Sequence, residues 1–285
     1  MFINPHFPRP ESFRRDGRRS RPMQEMRSIT LREMDIRGEK KSISIRLVES
    51  RERIRAARDL INHRYAWRGY GSDHDIRADA HHMTFTAEDG GAVIGTITLA
   101  VDSPRGLAVD LAFRDEVDPF RAVPGSGLCE LTKFAFDPAV QSRELMAALF
   151  HIVFVYGHRT HGCTDLLIEV NPRHVRFYEA MLGFTRVGAL KLNEKVAAPA
   201  QLMALKVAAI REQINRFAGG RGSPGSRSLY PFFFSPKDED GIFNRLAHAA
   251  TEAVMPLYAT SPRHSREIAV LASNAAIRPQ ATPAP

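Results

Sequence analysis

The order of periodic segments predicts a mixed α/β layer. Three observations carry it: a strict polar and apolar alternation over 42–48, two alternating runs around a glycine turn over 83–99, and helix-period apolar stripes between these strands and later ones. Ser42-Ile43-Ser44-Ile45-Arg46-Leu47-Val48 is a first strand, since every second side chain is apolar and the β-branched residues suit a pleated surface. From about Glu52 the spacing changes to three and four through Ile54, Ala57, Arg58 and Ile61, which predicts a helix. It runs into Arg64-Tyr65-Ala66-Trp67-Arg68-Gly69-Tyr70, where glycine and aromatics predict an ordered loop.

Strands over 83–87 and 92–99 flank Glu88-Asp89-Gly90-Gly91, a tight hairpin turn whose glycines accept positive φ. Over 103–127, Leu107, Val109, Leu111 and Phe113 alternate within a polar mixture, and this stretch is read as a lid between strands. The next strand, 128–136, stops at Asp137-Pro138. Ser142 then caps a helix to about His158, with Leu145, Leu149, Ile152, Val153 and Tyr156 as its buried stripe. A central strand over 165–170 stops at Asn171-Pro172, and a short helix over 175–182 ends at Gly183. After Lys191 the pattern weakens to a last strand over 201–207 and a helix over 208–217.

Residues 1–42 mix Pro, Arg and Ser with little apolar periodicity, so they are read as a flexible basic leader before a folded core over 43–218. A Gly- and Ser-rich linker over 219–228 precedes an appendix over 229–274 with helices around 241–257 and 261–274, and a frayed tail closes the chain over 275–285. Hydrophobic residues at 44% and charged residues at 25% are ordinary for a globular protein. The longest apolar stretch, 146–157, is too short to span a bilayer and holds His151. The first residues lack the apolar segment of a secretory signal, and two cysteines make no disulfide framework, so the expected compartment is the cytoplasm. Of the formal +8, more than half sits in the leader, where eleven Lys and Arg face six Asp and Glu. Such a tail fits a solvated leader, or nucleic acid, anionic lipid or an acidic protein as partner, with nucleic acid the weaker expectation.

Glu130-Leu131-Thr132-Lys133-Phe134-Ala135-Phe136, the following helix, Ile168-Glu169-Val170-Asn171-Pro172, and Phe177-Tyr178 with Gly183-Phe184 four residues on together resemble the GNAT superfamily of N-acyltransferases. Within it, Glu-Leu-Thr-Lys-Phe and the Arg64, Tyr65 and Trp67 segment are similar to the acyl-homoserine lactone synthases and the long-chain N-acyl amino acid synthases. The resemblance covers about 43–207 and implies a mostly antiparallel central sheet flanked by helices, here with a C-terminal helical appendix. It implies transfer of a long-chain fatty acyl group from acyl carrier protein to the α-amine of an amino acid or similar small amine. A conventional acetyl-CoA or acyl-CoA enzyme is the alternative, and a silent fold whose basic tail binds nucleic acid or membrane is a second.

One departure bears on the donor. Coenzyme A enzymes of this superfamily place a glycine-rich turn at the helix after the Glu-Leu-Thr-Lys-Phe strand, because bare backbone must close on a pyrophosphate. Here the run is Gln141-Ser142-Arg143-Glu144-Leu145-Met146; counted from Gln141, Glu144 and Met146 stand in the glycine positions, and counted from Arg143, Met146 and Ala148 do. A phosphopantetheine donor carries one phosphodiester and tolerates this better. No tightly bound cofactor and no metal is expected.

Amide formation from a thioester needs a neutral amine, a polarised carbonyl and a proton for the departing sulfur. Glu130 is the candidate base, on the same strand face as Thr132 and Phe134 if alternation is unbroken, with a structural ion pair as the other reading. Backbone N–H groups near Phe134 to Phe136 would polarise the carbonyl if a bulge opens the strand, as the resemblance implies. Tyr178 would protonate the thiolate, Arg143 would grip the phosphodiester, and Arg64, Tyr65 and Trp67 would hold the acceptor's carboxylate against an aromatic wall. His158, His161 and Cys163 lie at a helix end without a fourth ligand nearby and do not read as a zinc site. Phe232-Phe233-Phe234 is expected to fold back on the core, the alternatives being an acyl-tunnel cover or peripheral membrane contact.

Overall fold

The computed structural model describes residues 28–30, 34–36, 39–77, 79–140, 142–220 and 226–245. The strands are β1 Ser28–Thr30, β2 Met34–Ile36, β3 Glu39–Lys41, β4 Ile43–Leu47, β5 His82–Asp89, β6 Ala92–Val101, β7 Leu128–Phe136, β8 Asp165–Val170, β9 Thr185–Asn193 and β10 Ala198–Lys206. Eight of them form one sheet in the order β1-β4-β5-β6-β7-β8-β10-β9, and β2 pairs with β3 apart from it. Every neighbour in the large sheet is antiparallel except β7 and β8. Helices α1 Arg51–Ala66, α2 Asp110–Arg121, α3 Arg143–His161, α4 Val175–Leu182 and α5 Val207–Phe217 flank it. The mixed, mostly antiparallel architecture is the one the segment order predicts, although β1, β2 and β3 fall inside the stretch read as a leader.

Local chemistry sets the helix ends. Ser50 and Ser142 accept hydrogen bonds from the N–H groups of Arg53 and Leu145, which satisfies one free donor at the start of α1 and of α3. Gly162 and Gly183 close α3 and α4 in the left-handed region, where a side chain would be strained. The Gly90-Gly91 turn joins β5 to β6 as expected.

Two elements differ from the sequence reading. The expected lid contains α2, because Val109, Phe113 and Val117 recur every four residues and all three are fully buried, while Leu111 is 76% exposed. The alternation that suggested extended chain is broken at Leu111. β9 escapes the pattern because it is an edge strand with both faces largely wet, leaving Leu190 and Leu192 more than half exposed. The stripe assigned to α3 is buried, and so is every residue from Leu145 to Gly157.

The reason is the chain beyond α5. Leu229, Tyr230, Phe233 and Ile242 are buried against α3 and α5, and residues 236–245 are helical. The second appendix helix and the closing tail lie outside the described residues. Phe233 stacks on the fully buried His151 ring at 4.7 Å, so the triple phenylalanine folds back on the core. His151 Nδ1 accepts from the Phe234 N–H at 3.0 Å and its Nε2 lies 3.3 Å from Glu239 Oε2, which fixes a neutral ring with its proton on Nε2. Arg211 donates to both Glu239 oxygens at 2.7 Å. Burial alone would raise the Glu239 pKa, but the bonds from His151 and Arg211 outweigh it and hold the group at about 2.

Glu239→Ala should therefore cost about 2–3 kcal/mol in urea denaturation at neutral pH, a buried charge pair losing one member with Arg211 still partly wet. Because the folded-state pKa is depressed, the native contribution is complete above the ordinary glutamate value and fades as pH falls through it towards about 2. The difference between wild type and variant should shrink over that window. An unchanged midpoint at neutral pH would show that the appendix is not latched this way.

Candidate active site

Where β7 and β8 part, the sheet opens. Their parallel pairing covers only Leu128 to Glu130 against Asp165 to Leu167, and from Leu131 onward β7 has no strand partner on that side among the described residues. On its other side the register with β6 slips between Thr96 and Thr98, so that Ile97 faces both Lys133 and Phe134. Lys133 takes φ 52, a left-handed conformation uncommon for a residue with a Cβ, and its carbonyl accepts the Thr96 hydroxyl at 2.8 Å. This bulge bends β7 and reverses its facing. Leu128 and Glu130 look towards α2, whereas Cys129, Leu131, Phe134 and Phe136 pack on the α3 side, so Glu130 and Phe134 do not share the face that unbroken alternation predicts.

A cleft of about 630 Å³ occupies the opening. Glu130, Thr132, Lys133 and Phe134 of β7, Glu169 of β8, Tyr65 and Tyr178 line it, with Arg77, Arg105 and Lys195 around it. Glu130 is 2% exposed, and its Oε2 accepts the N–H groups of Ala108 and Val109 at 2.8 and 3.2 Å. Burial pushes its carboxyl up to about 8 against the pull of those two bonds, with the nearby Glu169 charge adding to the rise. The donors are held rigidly: Asp110 accepts the Leu107 N–H at 2.7 Å, and Arg121 clamps Asp110 and Asp102 together. Gly106 is needed there, since its φ is +74 and a Cβ would collide with an Asp110 oxygen.

The other expected residues separate. Tyr65 and Tyr178 reach the cleft, and burial pushes both phenols up, Tyr65 to about 12. Arg64 and Trp67 do not reach it: they lie three apart on another side of α1, the guanidinium 5.1 Å from the indole centroid, with Trp67 74% exposed. Of the three residues expected at the acceptor's carboxylate, Tyr65 alone lines the cleft. Phe134 lines the cleft, while the Phe136 ring is buried in the core beneath it. Arg143 is turned away: it donates to the carbonyls of Ser226 and Ser228 at 3.0 and 2.7 Å and lies over Phe232, so its fork anchors the appendix.

Three polar residues were not singled out from the sequence. Glu169, bonded by Asn193, has its carboxyl raised by burial, and Lys133 has its ammonium lowered by burial. A lone carboxylate inside the apolar run Leu166-Leu167-Ile168-Glu169-Val170 was a visible signal for the first. Nothing in the sequence marks Lys133 as a bulge or brings Asn193 to Glu169. Behind the cleft, a small apolar cavity of about 30 Å³ shares Leu131 and Phe150 with it and continues to Leu166, Leu182, Phe184 and Tyr230. His158 stacks on Phe154, His161 lies against Tyr156, and Cys163 is a free thiol, as is Cys129; among the described residues no cluster of three or more His, Cys, Asp or Glu is arranged for a metal. No helix of the described residues is long and apolar enough to cross a membrane.

A protein-family model described as N-acyl amino acid synthase FeeM matches residues 56–206, more than half of the chain. Among solved structures, FeeM, an N-acyl amino acid synthase from uncultured soil microbes, is similar at 32% identity and a TM-score of 0.55, over 61% of this chain and 95% of its own. LasI, an AHL synthase, aligns at 11% identity and a TM-score of 0.45, over 59% of this chain and 91% of its own. BjaI, a CoA-dependent acyl-homoserine lactone synthase, aligns at 17% identity and 0.40, over 56% and 79%. No curated protein matches.

The raised carboxyl has a stability consequence. Glu130 binds its proton more tightly folded than unfolded, so its contribution is full below the ordinary glutamate value and is lost as pH rises through about 8. Glu130→Gln keeps an oxygen acceptor for Ala108 and Val109 but cannot ionise. Its melting temperature should fall less than that of wild type between about pH 6 and about pH 9; parallel curves would mean that the carboxylate is not desolvated.

Proposed function

The chain belongs to the N-acyl amino acid synthase FeeM family, and we propose that it moves a long-chain fatty acyl group from acyl carrier protein to the α-amine of an amino acid or similar small amine. It is a GNAT-fold N-acyltransferase. The observation that carries the mechanism is the buried Glu130 carboxylate beside the unpaired edge of β7.

In this reading the acyl thioester lies along that edge, with its carbonyl oxygen towards the backbone N–H groups freed beyond the Lys133 bulge. The acceptor enters as an ammonium. A carboxyl poised near neutrality takes one proton, directly or through water, and the freed amine attacks; the C–N bond forms, the nitrogen gives up a second proton, and the C–S bond breaks as the tetrahedral intermediate collapses. Tyr178, which burial keeps protonated, gives its proton to the thiolate and takes back the second proton from the nitrogen. Tyr65 supplies an aromatic wall. The acids Asp73, Asp75, Glu130 and Glu169 and the cations Arg68, Arg77, Arg105, Lys133 and Lys195 line one cleft, a mixture that complements an amino acid zwitterion.

The donor assignment is supported by the start of α3. Ser142 already caps Leu145, Met146 is buried, and Arg143 is committed to the appendix, so bare backbone for a diphosphate is scarce. The apolar cavity behind Leu131 and Phe150 supports an acyl chain passing inward between the splayed strands.

Turnover with long-chain acyl carrier protein and with the matching acyl-CoA, read as N-acyl product by mass spectrometry, tests the donor. Product from the carrier-bound thioester is expected, and product from acyl-CoA alone overturns that assignment. Glu130→Gln should lower kcat by roughly 10²-fold or more. In wild type, kcat/KM should drop about tenfold per pH unit below about 8, since only the ionised carboxylate is a base. A flat profile across neutral pH removes Glu130 from proton transfer.

A further inference from the structure

The apolar cavity behind the cleft follows one face of α3. Phe150, Val153, Phe154 and Gly157 line it, a spacing that keeps all four on one side of the helix over about 10 Å. Phe150 also lines the cleft, as does Leu131, so the cavity begins where the acyl thioester of the reading above would lie. Its free space is about 30 Å³, room for only a few small groups. A tail that enters soon meets its borders.

Two of those borders need a reason. Gly157 stands inside α3, outside the left-handed region and away from any turn, where glycine weakens a helix relative to alanine. A Cβ there would come 3.3 Å from Leu99 and 3.7 Å from the Cys163 sulfur, both of which line the cavity, so the missing side chain keeps this part of it open. The other border is the chain beyond α5. Tyr230 and Phe233, 4% and 3% exposed, line the cavity and not the cleft, with their rings 5.0 Å apart. They are fixed in place: the Tyr230 hydroxyl donates to the Leu182 carbonyl at 2.8 Å, the Leu229 N–H to that of Met181 at 2.9 Å, and the Phe233 carbonyl accepts the Gly219 N–H at 3.0 Å. The family match ends at residue 206, so this wall is built by residues outside it.

We propose that Gly157 and the appendix rings of Tyr230 and Phe233 set the length of the acyl tail that is transferred: the tail enters past Leu131 and Phe150, runs along α3 and is stopped where these borders close. The inference rests on the acyl-transfer reading above and adds the residues that select among tails; it holds whether the thioester arrives on carrier protein or on coenzyme A. Selection follows from packing, since a methylene that finds no room stays in water or forces the wall to shift.

The test offers the full chain an equimolar mixture of acyl carrier proteins bearing saturated tails from octanoyl to stearoyl, and in parallel the matching acyl-CoA series, and reads the ratios of N-acyl products by mass spectrometry. Ratios within one mixture do not depend on how much of a variant is folded. Tyr230→Leu and Phe233→Leu should each raise the product of the next longer tail, relative to the wild-type optimum, about tenfold, and Gly157→Ala should favour the next shorter tail by a similar factor. Tyr230→Phe, which keeps the ring and gives up the bond to Leu182, should leave the ratios as in wild type. Unchanged ratios in the leucine and alanine variants, or a shift in the same direction in all three, would overturn the proposal, as would a Tyr230→Phe shift equal to that of Tyr230→Leu. If wild type makes no N-acyl product from any tail on either donor, the acyl-transfer reading fails and takes the proposal with it, an outcome told apart by the absence of product.

Discussion

The opening between β7 and β8 depends on one extra residue. Lys133 in the left-handed region, pinned through its carbonyl by the Thr96 hydroxyl, gives β7 one residue more than β6 needs and bends it away from β8. A strand continuing straight would have extended its parallel ladder with β8 past Glu130, closed the cleft and spent on β8 the backbone groups that now face the opening. The backbone cost of a non-glycine residue there is small beside what the bend creates: a cleft along an edge of β7 that no longer pairs with β8.

Around that slot the electrostatics follow from burial more than from pairing. Glu130 receives two backbone hydrogen bonds, which normally lower a carboxyl, yet desolvation and the neighbouring Glu169 outweigh them. Lys133 moves in the opposite sense for the same reason. The contrast is Glu239, equally enclosed but gripped by Arg211 and His151, whose carboxyl is held far down. Two of the buried glutamates thus differ, one raised by burial and one held down by its donors as a latch.

The latch explains why α3 is buried on all sides and why Arg143 is unavailable to a ligand. Chain beyond α5 returns over α3, and Arg143 holds it by the carbonyls of Ser226 and Ser228. The helix start that a nucleotide diphosphate would need has been given over to internal structure.

Much of the fold was legible in the residues themselves. Alternation, helix spacing, Ser142 as a cap and Gly183 as a stop are local physics, and they place α1, α3, α4 and most strands without reference to anything distant. Glu130 and Tyr178 also stood out, because a carboxylate in an apolar strand and a tyrosine in a short motif are visible as letters. The sequence could not say where alternation fails, so it put Phe134 on the face of Glu130, and it could not show that Arg143 meets residues some eighty positions later or that Arg64 and Trp67 turn outward. Those outcomes, like the meeting of Glu169 with Asn193, are decided by which distant segments share a face once the sheet has closed and bent, and that is a property of the packed chain rather than of any window along it.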